Sequence, residues 1–299
     1  MPDVLPLGVV VVQYGHPEET IRTLADLAAA TPKIARLVVV DNASPGDAAD
    51  AVADACAAAG AELVRSRVNR GYAGGANVAV RPMLDDPTLR YVAYCNNDVA
   101  LPPDYFARLV TTLEQTRGAA ASGVLVTRGS GMVQFAGGRF VARRALVVEA
   151  RAAASSEPYE TEFLSGCTLV VRTDDLRRHG MLPDVYAPGY LEDAELSWRL
   201  RRAGRTLWVV PQAVAVHAVG ASFGALDTSP RTTEAVVRHR LWFARRNLTG
   251  VDRLLAIGYQ HLTKPARGLV ELARGRPAFA RAYWRGWWHG AFGRWADRP

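Results

Sequence analysis

Short, continuous apolar runs alternate with helix-like segments over the first third of the chain, and this alternation limits the possible folds most strongly. The runs lie at residues 7–12, 36–40 and 91–95, and a further strand fits residues 62–65. A strand that is apolar on both sides needs cover on both faces of its sheet, and helical crossovers between parallel strands supply that cover. The sequence therefore predicts an α/β, Rossmann-like nucleotide-binding half over residues 1–115.

The rest of the chain divides into two further predicted parts. Residues 116–230 mix β-like pieces with helices near 174–179 and 191–203, which indicates a mixed-sheet acceptor half. The β-like pieces lie near 122–127, 132–148, 163–172, 206–210 and 213–217. Residues 231–299 are helical and basic in pattern, and much of the net charge of +7 lies there. With 299 residues and 49% hydrophobic composition, the chain is large enough to bury a sizeable core.

Cysteine spacing and hydropathy indicate the compartment. The three cysteines, Cys56, Cys95 and Cys167, form no C-x-x-C pair, so neither a zinc site nor a disulfide framework is expected. The first residues lack the pattern of a secretory signal, and no apolar run reaches the roughly 18 residues of a membrane span. We therefore expect a cytoplasmic protein, with a peripheral position at the inner face of the cell membrane as a further option.

The C-terminal tail carries the only sequence indication of a membrane contact. In a helical projection of residues 283–295, the aromatic residues fall on one side: Trp284, Trp287, Trp288, Phe292 and Trp295. Tryptophans with nearby arginines are typical of a helix that binds an anionic membrane surface. Packing of this stripe onto the protein's own core, or onto a second subunit, is the alternative.

Polar residues stand where the predicted strands end: Gln13 and Tyr14, Asp41 and Asn42, and Asn96, Asn97 and Asp98. In open α/β sheets, ligands bind beyond the carboxyl ends of the strands. The Asp98 carboxylate could hold a hard divalent cation together with phosphate oxygens, and Asp41 could accept hydrogen bonds from a base or ribose. Ordinary turns without a ligand would have similar sequences.

A glycine-rich turn at residues 70–75 follows the third predicted strand, and a short helix is predicted near residues 76–84. Asn69, Arg70, Gly71 and Gly74 could let the backbone approach a nucleotide, with Arg70 offering charge to phosphate. The spacing is neither G-x-G-x-x-G nor a P-loop, so a flexible turn is the alternative.

Two further segments carry residues suited to catalysis. Glu192, Asp193 and Glu195 cluster at the start of a predicted helix, where a carboxylate could act as general base toward a sugar hydroxyl. His217 ends the apolar run 213–216 and could complete a metal site begun by a carboxylate on another strand. A solvated acidic helix start and a structural histidine are the alternatives.

Seven motifs in this order resemble the family-two inverting glycosyltransferases with the GT-A fold, especially the bacterial rhamnosyltransferase-like branch that builds cell-surface glycans. The resemblance covers about residues 7–250. The matching segments are VVVVQYG at 9–15, VVVDNAS at 38–44, NRGYAGGAN at 69–77, YCNNDV at 94–99, FLSGCTLVVRTDDL at 163–176, YLEDAELSWRLRRAGRTLWVVPQAVAVH at 190–217 and RHRLWFARRN at 238–247.

The resemblance implies roles for individual residues. It implies a donor site formed by Gln13, Tyr14, Asp41, Asn42, Asn69, Arg70, Gly71, Gly74, Asn77, Asn96, Asn97, Asp98, Arg240 and Arg245. Asp98 and His217 correspond to ligands of a Mg²⁺ or Mn²⁺ ion, and Asp193 to the catalytic base, with Glu192 beside it. The acceptor would contact Ser165, Gly166, Cys167 and Trp198. The first acidic position of the family's D-x-D element is Asn96 here, which leaves one carboxylate in that triplet.

The resemblance also implies the reaction and the partners. The expected donor is a nucleoside-diphosphate sugar, with dTDP-rhamnose or a UDP-sugar favoured, and the expected acceptor is a cell-surface glycan or a lipid-linked saccharide. The sugar would be transferred by in-line displacement, with inversion. Two alternatives stay open, a sugar nucleotidyltransferase and a non-catalytic basic scaffold or nucleic-acid-binding protein. No nucleic-acid signature is present, so nucleic acid is not an expected partner, whereas an oligomer is not excluded.

Overall fold

The N-terminal part of the computed structural model alternates strands and helices, as the sequence predicts. The structure describes residues 3–218 and 229–293. The first elements are β1 (Val4–Gln13), α1 (Pro17–Ala28), β2 (Lys33–Asp41), α2 (Ala48–Ala51), α3 (Ala53–Ala58), β3 (Glu62–Arg65), α4 (Gly71–Asp85) and β4 (Tyr91–Asn96). Strands β3, β2, β1 and β4 lie side by side in this order and are all parallel.

The middle of the chain adds antiparallel strands to the same sheet. Its elements are β5 (Val99–Ala100), α5 (Tyr105–Thr116), β6 (Ala120–Thr127), β7 (Val133–Phe135), β8 (Gly138–Val141), β9 (Leu146–Glu149), β10 (Tyr159–Thr161), β11 (Thr168–Arg172), α6 (Thr173–His179), α7 (Glu192–Arg202) and β12 (Leu207–His217). The main sheet has the order β10-β12-β6-β11-β4-β1-β2-β3, with β5 paired to β12 and β7 to β6. A mixed sheet therefore continues from the N-terminal part into the second part.

The strand-to-strand junction at β4 and β11 joins the two parts of the sheet. Strand β11 runs antiparallel between β4 and β6, and its residues Leu169, Val170 and Val171 are almost fully buried. Strand β12, in turn, runs parallel to β6. Because all of these strands share one core, the polar residues at their ends lie within reach of each other.

Two sequence expectations about strands are corrected by the structure. The predicted strands near 206–210 and 213–217 are one strand, β12, whose register on β6 shifts between Val210 and Val214. The shift accommodates the turn-like Pro211 within a continuous strand. The predicted β region 132–148 is three strands, of which β8 and β9 form a separate two-stranded hairpin. A short turn, Ala142–Arg144, closes this hairpin.

The glycine-rich segment that the sequence predicts as a turn is the first part of helix α4. The helix starts at Gly71, whereas the sequence predicts a start near residue 76. Gly71 has a φ of 71°, and a Cβ there would lie 3.0 Å from the Ala187 Cβ. The Tyr72 amide donates to the Pro188 carbonyl at 2.9 Å. A tertiary contact, which no local pattern reveals, therefore fixes this helix start.

Three helices follow the sheet, in agreement with the predicted helical extension. They are α8 (Pro230–Asn247), α9 (Gly250–Ala273) and α10 (Pro277–Phe292). Ser229 caps α8, because its hydroxyl accepts from the Thr232 amide at 3.1 Å. Residues of α8 and α9 share a small apolar cluster with the β8–β9 hairpin, which includes Ala145, Phe243 and Ala256.

The aromatic stripe of the tail is only partly exposed. Trp284 Nε1 donates to the Pro265 carbonyl at 3.2 Å, and Trp287 Nε1 donates to His261 Nδ1 at 3.0 Å, so both indoles lie against α9. Trp288 and Phe292 remain 56% and 62% exposed. For the two inner tryptophans, the structure favours packing on the protein's own helices; Trp295 lies outside the described residues.

Within the described ranges, no helix combines the length and the apolar character needed to cross a membrane. All three cysteines are buried and unpaired, as the sequence predicts.

Candidate active site

A cavity of about 510 Å³ lies at the carboxyl ends of the central strands. It brings together most of the predicted site residues from distant segments of the chain. These are Tyr14, Asn42, Asn69, Gly71, Asn96, Asn97, Asp98, Ser165, Gly166, Cys167, Glu192, Asp193, His217 and Arg240. The size suits a ligand of several hundred daltons, since small-molecule sites measure roughly 300–1,000 Å³.

Asp98 and His217 lie close together because the end of β12 pairs with the short strand β5. His217 lies opposite Val99 in the antiparallel β5–β12 ladder, and the Ala218 amide donates to the Asp98 carbonyl at 3.0 Å. This register places His217 Nε2 3.2 Å from Asp98 Oδ1. Asn96 Nδ2 lies 3.4 Å from the same ring nitrogen.

The other ring nitrogen of His217 is held by Gln134. His217 Nδ1 lies 2.9 Å from Gln134 Oε1, so the ring donates its Nδ1–H there and leaves the Nε2 lone pair facing Asp98. A carboxylate oxygen and an imidazole nitrogen 3.2 Å apart can bind the same divalent metal ion. At metal centres, a ligating imidazole usually donates its other ring N–H to an acceptor behind it, and Gln134 Oε1 is such an acceptor for His217.

The donor set fits a divalent metal shared with a ligand. Within the described residues, no three His, Cys, Asp or Glu side chains form a group that could hold an ion alone. One carboxylate and one imidazole leave most coordination positions to diphosphate oxygens and water, which is the way Mg²⁺ is usually bound beside phosphates. Asp98 and His217 are therefore suited to a metal that arrives with a nucleotide.

A pair of neighbouring carboxyl groups, Glu192 and Asp193, lies at the start of α7. Asp193 Oδ2 accepts from the Gly166 amide at 3.0 Å, and Oδ1 accepts from the Ala194 amide at 2.8 Å. Glu192 is 7% exposed, and its Oε2 has no hydrogen-bond partner in the part of the chain that the structure describes. The two carboxyls thus occupy different environments.

These environments separate the two pKa values. Burial raises the pKa of Asp193, but the backbone N–H groups of Gly166 and Ala194 stabilise its ionised form and oppose that rise. Burial raises the pKa of Glu192 well above its ordinary value, and the charge of Asp193 raises it further. Asp193 therefore ionises first, while Glu192 keeps its proton.

Gly166 connects the carboxyl pair to the nucleotide-binding part. Its amide donates to Asp193, and its carbonyl accepts from the Tyr72 hydroxyl at 2.9 Å. Next to it, the Cys167 carbonyl accepts from the Asn96 amide at 2.8 Å. The predicted acceptor segment 165–167 therefore fixes Asp193 and the strand end of β4 relative to each other.

Asn42 organises the start of α4 on the other side of the cavity. Its Oδ1 accepts from the Arg70 amide at 3.0 Å, and its Nδ2 donates to the Gly71 carbonyl at 3.0 Å and to Asn69 Oδ1 at 3.2 Å. Gly75 packs directly on the Asn42 amide, where a Cβ would lie 3.1 Å away. A buried polar network therefore holds the 69–75 segment against the end of β2.

Several predicted donor-site residues do not line the cavity. Gln13 is fully buried and bonds to the Gly15 carbonyl and the Thr20 hydroxyl. Asn77 Nδ2 donates to the Leu182 carbonyl at 2.7 Å. Arg70 and Gly74 contact each other behind the α4 start. The structure gives these positions supporting contacts around the cavity.

Asp41 differs from these residues because it has unused hydrogen-bonding capacity. It is 4% exposed, its Oδ2 accepts only a long bond of 3.4 Å from the Ser44 amide, and its Oδ1 has no partner among the described residues. An unpaired buried carboxylate oxygen is costly, which favours a ligand that donates to it. Asp41 is not among the residues that line the cavity.

Arg245 and Trp198 lie away from the cavity. Arg245 Nη1 donates to the Gly290 and Ala291 carbonyls at 2.9 and 3.2 Å and so holds α10 on α8. Trp198 packs edge-on against Phe140 and Phe243, and its Nε1 donates to the Asn247 carbonyl at 3.3 Å. In this structure both side chains serve packing of the C-terminal helices.

Strands β7 and β9 contribute cavity residues that sequence reasoning missed. Gln134 on β7 and Glu149 on β9 line the cavity, yet neither lies in a recognisable motif; Tyr72, within the NRGYAGGAN segment, lines it as well. Burial raises the pKa of Glu149, and the charge of Asp193 raises it further. Near them the wall is apolar and consists of Phe135, Phe140, Leu146, Val147, Phe163 and Phe243. This side of the cavity therefore combines three carboxyl groups with a mostly aromatic wall.

Solved structures show the same fold at low sequence identity. GalNAc-T7 in complex with UDP, GalNAc and Mn²⁺ has a TM-score of 0.62 and 14% identity, with 92% of this chain covered. The match spans 58% of the GalNAc-T7 chain. No curated protein sequence matches the chain.

Two further solved structures match over most of both chains. The mannosyltransferase PcManGT from Pyrobaculum calidifontis, in complex with GDP-Man and Mn²⁺, has a TM-score of 0.62 and 18% identity, covering 96% of this chain and 87% of that one. Residues 1–349 of S. aureus TarS, in complex with UDP-GlcNAc, have a TM-score of 0.59 and 14% identity, covering 92% and 79%.

The sequence profile of glycosyl transferase family 2 matches residues 8–180. This range holds the parallel strands, the Asn96–Asp98 corner and the Gly166 segment. It favours glycosyl transfer over the nucleotidyl transfer and the basic scaffold that the sequence left open. With its mixed sheet and C-terminal helices, the chain has the GT-A fold and belongs to glycosyl transferase family 2.

Proposed function

We propose that this protein is a metal-dependent inverting glycosyltransferase that moves a sugar from a nucleoside diphosphate to an acceptor hydroxyl. One observation carries the proposal. Asp98, Asp193 and His217, which come from separate segments spread over residues 98–217, line one cavity at the carboxyl ends of the strands. A base and a metal pair beside one another are what a single displacement requires.

In this proposal Asp193 removes the proton from the attacking hydroxyl. Both of its oxygens accept backbone N–H bonds, which hold the carboxylate in a fixed direction and keep it ionised beside a neutral Glu192. Its raised pKa makes it a stronger base than an exposed aspartate. A neutral Glu192 carboxyl can donate a hydrogen bond, and we propose that it donates to an oxygen of the sugar or of the acceptor.

Asp98 and His217 would hold Mg²⁺ or Mn²⁺, with Gln134 fixing the imidazole. When bound, the ion supplies charge that stabilises the departing diphosphate. The Mn²⁺ in the GalNAc-T7 and PcManGT complexes supports this assignment. We place the nucleotide between Tyr14 and the 69–75 segment, with Arg240 near the diphosphate. The unpaired Oδ1 of buried Asp41 is our proposed acceptor for a hydrogen bond from its base or ribose.

The donor and acceptor are proposed as classes. The neighbours bind UDP, UDP-GlcNAc and GDP-Man, and the motif likeness adds dTDP-rhamnose, so dTDP-rhamnose or a UDP-sugar is our first choice of donor. The acceptor is a glycan or a lipid-linked saccharide, and the aromatic wall near Phe140 supports an acceptor with an apolar part. The unpaired cysteines are consistent with work in the cytoplasm.

A thermal-shift panel of UDP, dTDP and GDP, with and without Mn²⁺, tests the donor site. One nucleotide should raise Tm in a Mn²⁺-dependent manner, and Asp98→Ala should abolish the Mn²⁺ dependence. A rise that is the same without metal, or the same in Asp98→Ala, would argue against the metal assignment.

A matched pair of variants tests the base. Asp193→Asn should retain the nucleotide-induced shift and lose transfer by about 10²–10⁴-fold, the usual contribution of a general base. Glu192→Gln keeps the shape and the hydrogen-bonding ability of a neutral carboxyl and should lose far less. Equal losses in both variants would remove Asp193 from its assigned role.

A further inference from the structure

The outer face of α9 is an uncovered apolar surface. Leu254, Leu262 and Leu269 are 72%, 76% and 61% exposed, and Val251 is 64% exposed. With Leu255 and Leu272 they fall within about 100° of arc in a helical projection, and the stripe extends for about 32 Å along the helix. Single exposed leucines are ordinary, but a continuous stripe of this length marks an interaction surface.

The inner face of the same helix is firmly attached to the protein. Ala256 and Gln260 are fully buried, and Gln260 Nε2 donates to the Arg144 carbonyl at 2.6 Å. Arg143 forms an ion pair with Asp252 at 3.1 Å. The β8–β9 hairpin therefore holds α9 in place through its inner face. The apolar outer face is exposed although the helix is packed on its other side.

The exposed charge on the adjoining edge of α10 is basic. Six arginines are exposed from α9 to α10: Arg253, Arg267, Arg274, Arg276, Arg281 and Arg285. The first three, on α9 and at its C-cap, project from the side of the helix opposite the leucine stripe, whereas Arg281 and Arg285 lie on the exposed edge of α10, where Arg285 also pairs with Glu234 at 3.4 Å. The two acidic residues of this region, Asp252 and Glu271, are half-buried and buried, and both form ion pairs with arginines. On α10, Arg281, Arg285, Trp288 and Phe292 share an arc of about 60°.

This combination indicates one occupant. A second copy of the chain that docked through the exposed edge of α10 would bring Arg281 and Arg285 of the two copies together across a two-fold interface, which is unfavourable. An anionic bilayer instead accepts leucines and aromatic rings at its interface and attracts arginines, each contributing to binding. We propose that the outer face of α9, with the exposed edge of α10, docks on the surface of an anionic lipid bilayer.

Docking in this orientation has a consequence for the acceptor. The β8–β9 hairpin that α9 holds from behind is the same hairpin that supplies Phe140, Leu146 and Val147 to the cavity wall. The apolar side of the cavity would then lie about one helix diameter, roughly 10 Å, from the lipid interface. The geometry suits an acceptor whose apolar part remains in the bilayer.

Vesicle flotation of the full-length protein tests the proposal. The wild type should float with phosphatidylcholine vesicles that contain phosphatidylglycerol, should float less at high salt, and should not float with phosphatidylcholine alone. Leu254→Glu/Leu262→Glu should weaken binding by about tenfold or more, since two leucines no longer enter the interface. Met132→Glu is the matched control, because Met132 is 70% exposed on another part of the surface.

Three results would overturn the proposal: no flotation with anionic vesicles, equal flotation of the double variant, or equal loss in Met132→Glu. A dimer of the wild type in light scattering that the double variant abolishes would also overturn it, by assigning the face to a second copy. The milder Leu262→Gln covers the case in which the double variant unfolds. The nucleotide-induced rise in Tm should be unchanged in all variants, so failure here is separable from failure of the proposed function.

Discussion

Gln134→Leu should weaken metal binding without removing a metal ligand. Gln134 Oε1 is the acceptor for His217 Nδ1 at 2.9 Å, and this bond leaves Nε2 free to face Asp98 Oδ1 at 3.2 Å. Leucine preserves the approximate volume but accepts no hydrogen bond, so the ring can rotate or carry its proton on Nε2. Loss of such a supporting partner typically costs about 10–100-fold in metal affinity.

This loss can be measured through nucleotide binding. The Mn²⁺ concentration that gives the half-maximal nucleotide-induced rise in Tm should increase by about 10–100-fold, which corresponds to about 1.4–2.7 kcal/mol. At a fixed Mn²⁺ concentration near the wild-type midpoint, the rise in Tm should nearly disappear. The Tm of the free protein should change little, because the bond is local and the side chain lines the cavity.

Gln212→Leu is the matched control. Gln212 lies on the same strand as His217 but is exposed, and its side chain reaches only the Ser156 carbonyl. It should show the wild-type Mn²⁺ dependence. A Gln134→Leu protein with unchanged Mn²⁺ dependence would refute the argument that this glutamine fixes the imidazole.

Three further outcomes follow from the same structure. As pH falls, kcat/KM should decline as Asp193 becomes protonated, because only its ionised form accepts a proton. Since the pKa of Asp193 is raised, this decline should begin at a higher pH than for an ordinary aspartate; a decline at the ordinary pH would contradict the assignment. Gly71→Ala should lower the free energy of unfolding in urea by about 1–3 kcal/mol, and by more than Gly204→Ala, which has a similar positive φ but open space. Gly286→Ala should destabilise the protein, since the added Cβ would lie 2.5 Å from the Glu234 carbonyl. Gly258→Ala should instead stabilise it by up to about 1 kcal/mol, because a Cβ at this position of α9 meets no other atom. Equal effects of the two substitutions would contradict the α8–α10 packing.

The parallel strands could be predicted because their signal is local. Runs such as residues 36–40 are apolar on both faces, and only a sheet with cover on both sides can bury them. The start of α4 could not be predicted, because Gly71 begins a helix only where Pro188 and Asn42 supply its hydrogen bonds. Likewise, a proline in β12 reads as a strand break until the register shift on β6 is seen.

In the candidate site, too, some residues could be predicted from the sequence and others could not. Asp98, Asp193 and His217 were predicted because chemistry-bearing residues stood out at element ends. Gln134 and Glu149 were missed, because a glutamine and a glutamate on short strands carry no pattern that distinguishes them from surface residues. In the opposite direction, Arg245 and Trp198 resembled site residues in sequence but contact the C-terminal helices.

The sequence by itself determined the class of fold, the family and the residue types available for catalysis, since periodicity and motif order are properties of neighbouring positions. Only the tertiary structure decided which acceptor faces His217, which of two adjacent carboxyls keeps its proton, and which helix face is left uncovered. These properties depend on distances of about 3 Å between groups far apart in the chain, and on burial, which arises only once the chain has packed.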